Sequence, residues 1–217
     1  MDTFIQTLVI AALPVIFAIT LHEAAHGYAA RHFGDLTAWQ AGRISLNPLR
    51  HVDPVGTLLV PISILLLSAG NFLFGWAKPV PVDFGRLRKP KQDMFWVAAA
   101  GPAANLVMAL GWAMVLKLVE ATPENLYSLP LARMADVGID INLVLMALNL
   151  LPIPPLDGGR ITVSLLPHRL AWKYSRLEPW GFPILLLLLF TGILGSVLGP
   201  VVGILRYLVA ALFNFQY

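Results

Sequence analysis

The chain has no cysteine in its 217 residues. That absence excludes a disulfide framework, a thiolate nucleophile and a thiolate metal site, so any metal held by side chains must use His, Asp or Glu. Charge is scarce as well: Asp, Glu, Lys and Arg make up 12% of the residues against 58% hydrophobic, and the mean hydropathy is +0.74. Such a composition lies outside the soluble globular range and inside the polytopic membrane class. No stretch is long and polar enough for an appended soluble domain, and neither an internal repeat nor a low-complexity linker divides the chain, so 1–217 reads as one integral-membrane domain. Met1-Asp2-Thr3 lacks the basic residues of a signal peptide, and the first apolar run is too long for a signal core, so a retained membrane helix is expected there. The net charge of +3 is concentrated in connecting segments, which suits loops beside anionic lipid and not a phosphate-reading surface. The expected environment is the lipid bilayer, with no nucleic acid.

What is abundant is long apolar sequence. Sustained runs cover about 4–30, 54–74, 94–119, 137–151, 180–198 and 199–214, to be set against the roughly 20 residues that cross about 30 Å of hydrocarbon. This predicts an all-α polytopic membrane protein with about five to six hydrophobic segments, the last two parted by a tight turn at Gly199-Pro200. Basic residues cluster in 31–53 (Arg31, Arg43, Arg50), 75–92 (Lys78, Arg86, Arg88, Lys89, Lys91) and 152–179 (Arg160, Arg169, Lys173, Arg176). Segment 120–136 has only Arg133 among Glu120, Glu124 and Asp136. The positive-inside bias puts the first three on the cytoplasmic side and the last outside. Two basic loops flank 54–74, so a full crossing there would place them on opposite faces. Pro54, Gly56, Pro61, Gly70 and Asn71 favour a re-entrant segment instead, with its backbone buried against protein or lining a wet cavity; a full span is the alternative.

Within the first apolar run stands His22-Glu23-Ala24-Ala25-His26. Positions i and i+4 share a helix face, so both imidazoles can reach one metal ion while Glu23 stands beside it as a base. Each ionisable group in a transmembrane segment costs roughly 2.5–3.5 kcal/mol and persists mainly where it faces a bundle interior or a wet cavity. A catalytic zinc takes three protein ligands and keeps a fourth position for water. The candidate third ligand is Asp157, in Leu148-Asn149-Leu150-Leu151-Pro152-Ile153-Pro154-Pro155-Leu156-Asp157-Gly158-Gly159-Arg160, where three prolines end the preceding helix and two glycines permit unusual backbone angles. With 54–74 re-entrant, the histidine pair and Asp157 fall on the same, cytoplasmic side.

Three separated elements resemble the site-2 protease family of intramembrane zinc metalloproteases: His22-Glu23-Ala24-Ala25-His26-Gly27 its HExxH helix, Gly101-Pro102-Ala103-Ala104-Asn105 its GPxxN element, and Asn149-Leu150-Leu151-Pro152 through Leu156-Asp157-Gly158-Gly159-Arg160 its N-x-x-P…DGG element. The segments 46–54 and 74–80 (Phe74-Gly75-Trp76-Ala77-Lys78-Pro79-Val80) resemble compact bacterial-type members, and no PDZ or CBS domain is present. The resemblance implies one zinc ion per chain held by His22, His26 and Asp157 in the helical core, with Glu23 as catalytic base. It implies an endopeptidase acting on transmembrane protein substrates in regulated intramembrane proteolysis, from a prokaryotic inner membrane with the site towards the cytoplasm. Asn105 or Asn149 would donate to the substrate backbone or the developing oxyanion. Segment 77–83, biased to extended backbone by its prolines, either pairs with an unwound substrate or is a plain loop. His32, His51 and His168 read as interfacial or supporting groups, Asp53 as a possible orienter of a ligand, and Trp76, Trp96, Trp172 and Trp180 as interface anchors. Two rival readings are a non-catalytic relative that binds membrane helices, against which stand the intact His22, Glu23, His26 and Asp157, and a zinc transporter or metal-binding channel, which should show ligands at several depths.

Overall fold

The computed structural model describes residues 2–67, 75 and 77–215, and the described part is helical throughout, without a strand. Helix α1 (Asp2–His32) is followed by a single turn α2 (Thr37–Gln40), a 3-10 turn at Pro48–Arg50, a π-helical turn at Pro54–Leu59 and α3 (Val60–Leu67). A 3-10 turn at Phe84–Arg86 leads into α4 (Pro90–Glu120), then come α5 (Ser128–Asn149), α6 (Asp157–Leu165), α7 (His168–Ser175), α8 (Glu178–Phe190) and α9 (Ile193–Phe213).

Among the described residues, three helical stretches are long and apolar enough to cross a membrane: Val9–His32, Pro90–Glu120 and Ile193–Phe213. Shorter apolar helices cover Pro54–Ile64 and Glu178–Phe190. The all-α class expected from the sequence is met, whereas three helices, not five to six segments, reach a membrane-crossing length and hydropathy among the described residues. The run expected over 137–151 begins two turns earlier, at Ser128, and spans about 33 Å at 1.5 Å per residue. Its added turns carry Arg133 and Asp136, and Asp140 follows one turn on. The break expected at Gly199-Pro200 lies instead at Gly192, whose φ of 76° is left-handed. A glycine adopts that conformation without Cβ strain and ends α8, with Thr191 and Gly192 N–H bonded back to Leu187 and Leu189 C=O. Pro200 lies inside α9, which continues through it.

Helix α4 is the centre of the bundle, packed by α1, α5, α6 and α9. Its contact with α5 is built from small residues: Ala109 and Ala113 meet Ala135, Ile139 and Leu143, with Val209 of α9 closing the cluster. In lipid, where apolar surface gains nothing by leaving the tails, close backbone approach and dispersion drive such packing. Gly138 admits the Trp112 ring, which lies 2.4 Å from where a Cβ would stand. The outer faces are apolar and exposed, for example Ile16 and Phe17 on α1, Val107 and Met114 on α4, and Ile204 and Leu212 on α9.

Segment 52–77 leaves and returns to one place, because Lys78 N–H donates to His51 C=O at 2.8 Å. Residues 68–74 and Trp76 lie outside the described residues. Beyond it, 78–88 runs as a strap across the end of α1. Asp35, fully buried, accepts from Thr37 N–H and Thr37 Oγ1 on one oxygen and from Asp83 N–H at 2.8 Å on the other. Arg43 Nη2 donates to Lys78 and Pro79 C=O, and Arg88 N–H donates to Phe33 C=O.

Candidate metal centre

The i,i+4 spacing on α1 brings the two imidazoles together, with His22 Nε2 and His26 Nε2 3.1 Å apart. Asp157 Oδ2 lies 3.2 Å from the first and 3.3 Å from the second. Nothing else hydrogen-bonds this buried oxygen. Asp157 is the first residue of α6, and the two glycines after it bring α6 against the preceding turn. A Cβ at Gly158 would stand 2.3 Å from Leu150 C=O and Leu151 C=O, and one at Gly159 2.6 Å from Pro154 N. Neither glycine has a positive φ, so they serve close approach, not the unusual backbone angles expected from sequence.

The partners behind the histidines settle their tautomers. His26 Nδ1 lies 2.7 Å from Val97 C=O, which can only accept, so Nδ1 carries the proton. Asn105 Nδ2 donates to Ala18 C=O at 3.2 Å and to Asn142 Oδ1 at 2.9 Å, which turns Asn105 Oδ1 towards His22 Nδ1 at 2.6 Å and makes that nitrogen a donor too. Asn142 is anchored in turn, donating to Gly138 C=O at 2.8 Å. In neutral rings both Nε2 atoms therefore present bare lone pairs. Two lone pairs and a carboxylate oxygen at 3.1–3.3 Å repel unless a cation sits among them. A tetrahedral zinc with ligands at about 2.0–2.1 Å has ligand-to-ligand edges of about 3.3–3.4 Å, so donor set and spacing fit it. Gly101 of α4 completes the cradle: a Cβ there would lie 2.4 Å from His26 Nε2 and 2.6 Å from His22 Nε2. The three residues form the single metal-competent cluster among the described residues.

Glu23, one residue along from His22, faces two cavities. One, of about 180 Å³, is bordered by His22, His26, Asp157, Pro79, Val80, Val82, Phe84 and Arg160. The other, of about 200 Å³ and mainly apolar, is bordered by Ile19, Ala77, Leu145, Leu148, Leu156 and Leu185. Glu23 Oε2 accepts from Val80 N–H at 2.8 Å. Asn149 borders both cavities, its Nδ2 donating to Leu145 C=O at 2.9 Å. Asn105 does neither; it is fully buried and spends its oxygen on His22 and its amide on Ala18 and Asn142. Of the two amides expected as oxyanion donors, Asn105 thus lies behind His22 and Asn149 borders the cavities.

The other sequence-stated candidates fall elsewhere. His51 Nε2 donates to Ser45 C=O, and Asp53 caps the π-helical turn by accepting from Val55 and Gly56 N–H, so Asp53 orients no ligand. His32 packs edge-on against Phe33, and His168 opens α7 on the surface. Trp96, Trp172 and Trp180 are exposed, as interface anchors must be. Sequence reading missed Asn142, Val97 C=O, Val80 N–H and the pairing of Arg206 with Asp136 and Asp140. Asn142 alone left a signal: an amide in an apolar run, seven residues before Asn149 and so on the same face.

Several relatives carry the name putative zinc metalloprotease. YwhC of Bacillus subtilis is 39% identical over 205 residues, covering 93% of this chain and 90% of YwhC. Rip2 of Mycolicibacterium smegmatis is 33% identical over 179 residues, 81% of this chain and 64% of Rip2. A Methanocaldococcus jannaschii protein is 25% identical over 160 residues, 72% of this chain and 71% of its own length. No family model and no solved structure matches. With the YwhC likeness running over nearly the whole of both proteins, and the zinc-competent cluster in place, the chain belongs to the zinc-metalloprotease family of YwhC.

Proposed function

We propose that this protein is an intramembrane zinc endopeptidase that hydrolyses peptide bonds of transmembrane protein substrates. The observation that carries this reading is the position of Glu23: a carboxylate beside three bare ligand atoms, on the wall of cavities inside a bundle of lipid-length helices. His22, His26 and Asp157 would hold the ion. Bound zinc supplies polarisation of the scissile carbonyl and acidification of the attacking water. Glu23 would take a proton from the attacking water on Oε1, the oxygen not engaged by Val80, as the new C–O bond forms, and would then hand it to the departing amide nitrogen as the C–N bond breaks. Asn149, on the cleft, would donate to the substrate carbonyl oxygen with the amide hydrogen not given to Leu145 C=O. The substrate must unwind locally, since a helix hides its peptide bonds in its own ladder. In segment 78–80, Val80 N–H serves Glu23 and the Lys78 and Pro79 carbonyls accept from Arg43.

The return of Lys78 to His51 supports a re-entrant 54–74, and with it the basic loops and the site on the cytoplasmic side of a prokaryotic inner membrane. Confinement of the metal-competent residues to one cluster, among the described residues, speaks against a transport path with ligands at several depths. The test is cleavage of a model transmembrane substrate in proteoliposomes by wild type and by Glu23→Gln, each shown to hold one zinc. Cleavage by wild type alone is expected; equal rates, or no cleavage by the zinc-loaded wild type, would overturn the reading.

A further inference from the structure

The bond between Val80 and Glu23 joins two segments 57 positions apart, and several independent features conspire to make it. Val80 stands between Pro79 and Pro81, neither of which has an N–H, so it carries the single main-chain donor of that triplet. The residue before a proline is held to extended backbone, which keeps Val80 from folding its N–H into a local turn. The side chain of Val80 is buried and rests on α1 at Gly27, directly after the second histidine. A Cβ at Gly27 would lie 3.2 Å from Val80 Cγ1 and 2.9 Å from Ile44 Cγ1, so only glycine lets the strap lie this close. On both sides of Val80 the strap is tied down, by Lys78 N–H on His51 C=O and Arg43 on two carbonyls before it, and by Asp83 N–H on Asp35 after it. None of these ties touches substrate or a metal-binding atom; together they hold one N–H 2.8 Å from the carboxylate of Glu23.

We propose that Val80 is a positioning residue whose main-chain N–H holds the Glu23 carboxylate in its working orientation. The inference rests on the reading of Glu23 as the base. A glutamate side chain has three rotatable bonds, and a charge-assisted bond to one oxygen leaves the other aimed at the water while removing the orientations that miss it. The strap is thereby part of the catalytic apparatus through its backbone, and the identity of the side chain at 80 matters only for seating it on Gly27.

The experiment compares Val80→Ala, which keeps the N–H, with Val80→Pro, which deletes it. In proteoliposomes with a model transmembrane substrate, kcat of Val80→Pro should lie about tenfold to a hundredfold below that of Val80→Ala, with KM in the two within about threefold, as expected for loss of a hydrogen bond to a charged group. Equal kcat in two zinc-loaded, equally heat-stable variants would overturn the proposal. A second arm reads the bond without activity and without the proline variant. In metal-free full-length protein labelled with 15N-valine, the cross-peak that vanishes in Val80→Ala should move upfield in Glu23→Ala; a cross-peak unmoved by that change would overturn the proposal. An inactive wild type would sink the enzymatic reading alone, since the spectroscopic arm decides the bond itself.

Discussion

Replacing Gly101 by alanine adds one methyl group at the metal centre and nothing else. Its carbon would fall 2.4 Å from His26 Nε2 and 2.6 Å from His22 Nε2 and Cε1, where ordinary contact begins at 3.4 Å, so helix and imidazoles must part by about 1 Å. Neither ring can yield by rotation, since each is held from behind, His22 by Asn105 and His26 by Val97 C=O. Zinc–ligand distances tolerate about 0.2 Å, so a displacement of about 1 Å takes at least one nitrogen out of reach. Loss of a supporting partner costs tenfold to a hundredfold in metal affinity, and a blocked ligand must exceed that: zinc affinity should fall by about a hundredfold or more, or about 2.7 kcal/mol. The same substitution at Gly111, on the same helix with nothing within 4 Å, is the control and should hold zinc like the wild type. Zinc content by elemental analysis, and competition against a graded chelator in detergent, read the difference directly. Gly101→Ala with wild-type zinc affinity would refute the geometry from which the metal centre has been derived.

Further outcomes follow from the same structure. Asn105→Leu should lower zinc affinity by tenfold to a hundredfold and thermal stability by about 1–3 kcal/mol, because it strands the His22 Nδ1 proton and Asn142 Oδ1 in a buried place; thermal unfolding with and without zinc separates the two effects. Burial alone would raise the Asp35 carboxyl, but the Thr37 hydroxyl and amide, the Asp83 amide and the Arg86 charge outweigh it and hold it below the ordinary carboxylate value. Its contribution is thus present above the unfolded value of about 3.9 and lost as pH falls through the lower folded one. Accordingly, Asp35→Asn should flatten the acid limb of stability against pH and expose 78–88 to limited proteolysis; an unchanged acid limb and intact strap would contradict that role. Because the chain has no cysteine, single cysteines at Leu49, Arg86 and Leu126 can be labelled from either side of the membrane. The first two should react from one side and the third from the other; labelling of positions 49 and 86 from opposite sides would refute a re-entrant 54–74.

Local chemistry was legible in the sequence where it needed no partner. His22 and His26 are one helical turn apart on any α-helix, the absence of cysteine restricted the metal donors, and lipid-length apolar runs announced helices before any packing was known. The choice of Asp157 needed more, since 131 positions separate it from His26, but a carboxylate set among prolines and glycines at a helix end is a visible anomaly. Boundaries were less legible: the break at Gly192 depends on one left-handed residue, while Gly199-Pro200 carries the same punctuation and lies within a helix. Asn105 and Asn149 looked alike because both are amides beside apolar helices, and only the fold shows one buried behind His22 and the other on the cleft.

By itself, then, the sequence determined the helical membrane class, the possible donors and the pair of histidines, because period, hydropathy and residue chemistry act over a few neighbouring positions. The tertiary structure alone decided that Asp157 meets that pair, that Gly101 makes room for it, that Asn105 and Val97 bare its ligand nitrogens, and that Val80 offers its N–H to Glu23. Those are contacts across tens of positions, set by how closely α1, α4, α6 and the strap can approach, and no local pattern records that distance.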